Sequence, residues 1–214
     1  MSSPKLDDEK GRTYRGAGPQ QRQDERRTKL IEAAYELFGT IGYRSSTVEK
    51  ICATAGLTKR YFYESFDSSE SLLVATYVYT TDRLRERAVS GTASATTLDD
   101  ALHHMLGGFF GAIADDPRLA RITFFEILGV SPEVDRTYRR VTETFVDTLI
   151  AMIGPSLGST TVPDDQLRVI ASGLAGALLM MAQHWILTDR PQPIETVVAS
   201  AHLMVTAVID RIGR

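Results

Sequence analysis

Gly56 stands between two apolar stripes of helical period, and that juxtaposition restricts the chain more than any other feature. Before it, Val48, Ile51, Cys52 and Ala55 recur at three and four residues; after it, Phe62 and Phe66 are four apart and Leu57 can join them from the turn. The stretch "SSTVE" marks the start of the first helix, with Ser46 as its cap and Glu49 reaching back to it. Gly56 closes that helix in the left-handed conformation and Thr58 caps the next. Two short helices joined by a turn of about three residues containing Gly make a helix-turn-helix pattern. The core takes the apolar side, so Lys59, Arg60, Tyr61, Tyr63 and Glu64 point outward, a set that folding does not require.

Helical period also governs the rest of the chain, and no strand alternation competes with it. Residues 1–21 are rich in Gly, Pro, Gln and charge and read as a flexible arm, whose cations Lys5, Lys10, Arg12 and Arg15, with Arg22 just beyond, can follow a phosphate backbone or stay solvated. Leu30, Ile31, Ala34, Leu37, Phe38 and Ile41 mark an amphipathic helix over about 23–40. "FDSSES" restarts the pattern with a box of Asp67 and Glu70, and a helix of about twenty residues runs to the small polar linker "SGTASATT". Further helices are expected near 97–114, 117–129, 132–153, 164–188 and 194–212, with prolines 117, 132, 163 and 193 at their starts. The expected organisation is all-α: an arm over 1–21, a three-helix unit over 22–67, and a larger helical unit over 68–214.

Charge divides the same way. The chain carries a net −3, yet residues 1–60 sum to +4 and residues 61–214 to −7, which points an N-terminal part at an anion and a C-terminal part at something else. The last two helices are apolar nearly all round, so each is buried on more than one side. Gly173, Gly176 and Ala177 on the first and Val198 and Val205 on the second are the candidate residues of a homodimer built as a four-helix bundle. A monomer core that buries both sides is the alternative. No uninterrupted apolar run reaches the roughly eighteen residues of a membrane span, and "MSSPKLDDEK" is no secretory signal, so a cytoplasmic protein without a membrane partner is expected.

Residues 24–80 resemble the DNA-binding region of TetR-type transcriptional regulators, through the helix end "ELFGTIGY", the second helix "STVEKI" and the recognition segment beginning "AGLTK". The resemblance implies an all-helical homodimer with an N-terminal three-helix unit on double-stranded, palindromic operator DNA and a C-terminal half for dimerisation and a small-molecule effector. By position it implies a phosphate contact at Thr47, a recognition-helix start at Thr58, Lys59, Arg60 and Tyr61, and a phosphate-binding tyrosine at Tyr63. Ser65 and Ser69 depart from the histidine and lysine common in the family. Physical chemistry agrees: Arg60 and Lys59 suit guanine O6 and N7, and Tyr61 and Thr58 suit a thymine methyl or a phosphate. Glu64 either accepts from a cytosine amine or turns away from the phosphates.

A hydrophobic effector would find Met105, Phe109, Phe125, Met181 and Trp185 in the C-terminal half, with Glu126 and His184 as polar groups that orient it. Glu126, inside "ITFFEILGV", needs a cationic partner, and Arg118 or Arg121 can supply it. Cys52 falls on a core stripe; His103 and His104 point about 100° apart and do not share a metal. No phosphate loop, nucleophile elbow, cofactor motif or metal site is found. The expected function is a transcriptional repressor released from its operator by an effector. The alternative is a small-molecule-binding or enzymatic helical protein with a vestigial helix-turn-helix.

Overall fold

The computed structural model describes residues 18–154 and 162–213. Among them nine α-helices follow one another: α1 Pro19–Thr40, α2 Val48–Ala55, α3 Lys59–Ser65, α4 Ser69–Val89, α5 Leu98–Asp115, α6 Pro117–Arg121, α7 Pro132–Ile153, α8 Asp164–Leu187 and α9 Ile194–Ile212. A π-turn over Ile122–Glu126 continues α6, and no strand occurs among the described residues. Lys5, Lys10, Arg12 and Arg15 lie outside those residues. Residues 19–21, expected in the arm, belong to α1, which starts on Pro19 because a proline lacks only an N–H that the first helical turn leaves unpaired anyway.

The ends of the short helices explain the turn between them. Thr47, not Ser46, caps α2: its Oγ1 accepts from the Lys50 N–H at 3.3 Å, while Ser46 Oγ donates to the Gly42 carbonyl at 2.7 Å. Gly56 has φ 65° and ψ 32°, and the N–H groups of Leu57 and Gly56 donate to the carbonyls of Cys52 and Ala53. At α4 the reciprocal box is Ser68 with Ser71, one residue on from the expected Asp67 and Glu70.

Leu30, Ala34 and Phe38 of α1, Ile51 of α2 and Phe62 of α3 are wholly buried together and hold the three short helices as one unit. Leu30, Phe38, Ile51 and Phe62 each contribute about 1.5–3 kcal/mol by leaving water. From there α4 runs into the larger half, packing on α1 at one end and on α5 and α7 farther along. It buries Thr76, Thr80 and Thr81, whose hydroxyls donate to the carbonyls four residues back at 2.7–3.0 Å, so these polar groups enter the core already satisfied.

Helices α8 and α9 each have two apolar faces. On α8, Leu167, Ala171, Leu174, Leu178, Ala182 and Trp185 are buried in the chain's own core, while Val169, Met180 and Leu187 are 63–72% exposed. Among the described residues α8 alone matches a membrane span by length and composition, despite the absence of a long uninterrupted run; its two-sided apolarity produces that match. Gly173 and Gly176 lie on the exposed face, with Ala177 at its edge, and nothing stands within 4 Å of where a Cβ on either glycine would be. On α9 the expectation needs correcting: Val198 and Val205 are buried in the chain's own core, and Ala199, Leu203 and Ala207 face outward. A helix apolar on nearly every side marks its phase weakly in the sequence, and α9 is turned by its packing on α5.

Candidate nucleic-acid interface

α3 lies over α1 and α2 with Phe62 and Phe66 inward, which leaves its other side to solvent. Arg60 is 84% and Tyr63 59% exposed, Lys59 is exposed beside them, and Tyr61 is half-buried at the edge. Thr58 precedes α3 in an extended conformation and makes no capping bond, so its hydroxyl is left for a ligand. Thr47 stands exposed at the start of α2. The six candidate DNA contacts thus come from two adjacent helix starts and one helix face.

Four residues that sequence reasoning passed over complete this surface. Arg26 of α1 stacks its guanidinium over the Tyr61 ring at 4.3 Å and reaches toward Glu64, with Nη1 3.8 Å from Oε2. Lys50 donates to the Ser45 carbonyl at 3.0 Å, next to the exposed Arg44, and both cations adjoin Thr47. The charges in "YRSSTVEK" were a usable signal for that pair; the reach of α1 to α3 had none. Arg27, also on α1, donates to the Ser65 carbonyl at 2.7 Å and covers Phe66 at 4.1 Å, fixing the C-terminal end of α3.

Carboxylates engage both reading cations. Glu64 turns back along α3 and accepts from Arg60 Nε at 2.9 Å. Lys59 Nζ donates to Glu49 Oε1, which helps hold the Glu49 carboxyl down at about 2.

The C-terminal end of α1 is held by the α6 region. Arg118 bonds Asp116 through Nε at 2.8 Å and Nη2 at 2.9 Å and also pairs with Glu36; Tyr35 Oη donates to Asp116 at 2.6 Å. Burial pushes the Asp116 carboxyl up, but the bonds from Arg118 and Tyr35 outweigh it and leave it below the usual range. Arg121 donates through Nη1 to the Thr40 carbonyl at the negative end of α1 and through Nε to Glu126 at 2.8 Å. Glu126 also accepts from the Tyr43 N–H at 2.8 Å. Gly39 and Gly42 make room for this clasp: a Cβ on Gly39 would sit 2.4 Å from Arg118 Cβ, and one on Gly42, whose φ is 89°, would meet Arg121 and Glu126.

That geometry corrects the expected effector pocket. A cavity of about 50 Å³ lies between α4, α5, α7 and α8, and Met105 and Phe109 line it with Val89, Phe145, Leu149 and Leu178. The accessible lining is apolar, and Arg85, half-exposed, is its one charged residue. Phe125 and Glu126 instead border a separate groove of about 300 Å³ beside Ile41 and Arg44, because the π-turn carries them toward α1. Met181, His184 and Trp185 do not reach the cavity either: His184 is exposed, and Trp185 donates from Nε1 to the Gln192 carbonyl at 3.0 Å, bracing the turn into α9. Among the described residues no three His, Cys, Asp or Glu side chains are placed to hold a metal.

Residues 30–76 match the bacterial regulatory proteins of the tetR family. The HTH-type transcriptional activator FasR of Mycolicibacterium smegmatis is 31% identical over 173 residues, covering 79% of this chain and 76% of that one. The chain belongs to the TetR family. As a TetR-family member it is a DNA-binding, helix-turn-helix transcriptional regulator. The HTH-type transcriptional repressor KstR2 of Rhodococcus jostii is 33% identical over 103 residues, 46% of this chain and 45% of its own. The fold extends to FadR of Bacillus subtilis, a transcriptional regulator solved in complex with stearoyl-CoA, at a TM-score of 0.72, 20% identity, and coverage of 83% of this chain and 96% of that one.

Proposed function

We propose that this TetR-family regulator binds a palindromic operator as a homodimer, represses transcription by occluding the promoter, and leaves the DNA when a long-chain amphipathic effector enters its C-terminal half. The reading rests foremost on the outward set Thr58, Lys59, Arg60, Tyr61 and Tyr63 on a helix whose other side is fully committed to the core. Thr47 and Tyr63 serve the phosphates, and Arg60 reads a base edge. Such a protein works in the cytoplasm, where its operator is, and no residue is assigned a catalytic role.

The dimer is carried by the outward stripe of α8, Val169, Gly173, Gly176, Met180 and Leu187, with Leu203 of α9. Large apolar side chains exposed in a row mark an interface, and glycines with open space above them admit a close helix from a second copy. Such a dimer must set two recognition helices about 34–36 Å apart to enter successive major grooves.

The effector class follows from the cavity. A lining that is apolar but for Thr148 and the peripheral Arg85 suits an acyl chain with an anionic head, the chemistry of the stearoyl-CoA held by the Bacillus regulator. About 50 Å³ of water-accessible space is room for a few waters and not for a long acyl chain. The effector therefore binds an opened state in preference to this one, and that difference in affinity is what moves the DNA equilibrium.

Selection from a random DNA pool at two salt concentrations tests the reading. A palindrome is expected, with Arg60→Ala and Lys59→Ala each relaxing preference at a base pair of the half-site and Tyr63→Phe weakening all sequences alike. The recovered duplex then serves to titrate acyl thioesters of increasing length for release. An unenriched pool refutes the operator, and retention of DNA at every chain length refutes the effector class. A reporter carrying the palindrome gives the sign, which likeness does not settle because one relative is an activator and another a repressor.

A further inference from the structure

We infer that Glu49 and Glu64 are specificity-determining residues of the DNA interface, which aim Lys59 and Arg60 at base edges and weaken binding to DNA of the wrong sequence. This rests on the interface reading above.

Neither ion pair is required by folding, although Glu49, in the first turn of α2, also favours that helix start. Glu49 is 61% and Glu64 39% exposed, their partners are exposed as well, and ion pairs of that kind contribute little to stability. Both nevertheless lie within the surface that carries Arg26, Lys59 and Arg60, where an anion is opposed to any approaching phosphate. A surface meant only to attract the duplex would leave them out.

Their geometry assigns them a selective role. Glu64 takes Nε of Arg60, and an arginine held at Nε keeps both terminal nitrogens free as a fork of fixed direction. That fork can still make the two bonds to guanine O6 and N7. To reach a phosphate, as it would on non-cognate DNA, Arg60 must swing and give Glu64 up, leaving the carboxylate facing the backbone with only Arg26, 3.8 Å away, as compensation. Glu49 imposes the same condition on Lys59 from the neighbouring helix. Discrimination then comes from a penalty on the wrong complex as much as from a gain in the right one.

The full-length chain and its Glu64→Gln and Glu49→Gln variants are titrated against the selected operator and against a scrambled duplex of equal composition, at two salt concentrations. Each variant is expected to bind the scrambled duplex about two- to fivefold tighter, the range an exposed ion pair supports, and the operator by a smaller factor. The salt slope on scrambled DNA should steepen by about one as a freed cation engages a phosphate. Equal changes on both duplexes, or none, overturn the inference. So does a Glu64→Gln variant that merely changes the preferred base at one position, which makes Glu64 a reader of cytosine. A wild-type chain that does not distinguish the duplexes refutes the interface itself, a separate result. Circular dichroism and melting curves of both variants should match the wild type, since neither side chain is buried.

Discussion

Phe62 and Tyr63 are neighbours with opposite duties. Phe62 is wholly buried and joins α3 to α1 and α2, whereas the Tyr63 hydroxyl is out in solvent. Phe62→Ala is expected to cost about 3–5 kcal/mol in chemical denaturation and to abolish DNA binding with it. Tyr63→Phe should leave the denaturation curve in place and weaken every DNA sequence by a similar factor. This division was legible at four-residue spacing, because a short helix with two aromatics on one side has only one way to lie down. The cap of α2 was not: "SST" offers three hydroxyls in succession, and only the bond from Ser46 Oγ back to Gly42 shows why Thr47 is left for the role. Glu126 was legible as a carboxylate in need of a cation, but its destination depends on Tyr43, 83 residues earlier.

At the scale of elements, the clasp between α1 and the α6 region gives the fold a dependence on acid. The Asp116 carboxyl lies below its ordinary value in the folded chain, so its contribution is complete above the ordinary carboxylate range and drains away as pH falls through the depressed folded value. Stability measured by denaturation should therefore fall from about pH 4 downward, and Asp116→Asn should flatten that limb while lowering stability at neutral pH. Tyr35→Phe, which removes one bond to the same carboxylate, should cost about 1 kcal/mol at pH 7. Helix positions and ends over most of the chain followed from prolines, glycines and period. The π-turn did not: the stretch 117–129 reads as one continuous helix, and the wider turn at Ile122–Glu126 lets Arg121 donate to the Thr40 carbonyl and Glu126 accept from the Tyr43 N–H in a distant segment.

For the whole molecule, the proposed operator complex turns on the separation of two recognition helices, which only a pair of chains possesses. Leu203 and Met180 are 69% and 63% exposed on neighbouring helices. Replacing both by Glu should give chains that sediment singly at micromolar concentration, keep their helical circular dichroism and lose operator binding. If the double variant still sediments as a pair, α8 and α9 are not the shared seam. Sequence indicated that these helices have two apolar faces and did not say which residues serve which, because apolar residues on nearly every side leave the phase weakly marked; packing on α5 turns Val198 and Val205 inward.

α1 touches both ends of this arrangement. Near its start Arg26 and Arg27 grip α3, and near its finish Glu36 and Thr40 are gripped by Arg118 and Arg121. Arg26 and Thr40 lie about 21 Å apart along this rod, so a tilt of about 5° imposed at one grip moves the other through about 2 Å. Pivoting this stiff lever would shift the reading head by a distance comparable to one hydrogen bond without deforming the head itself.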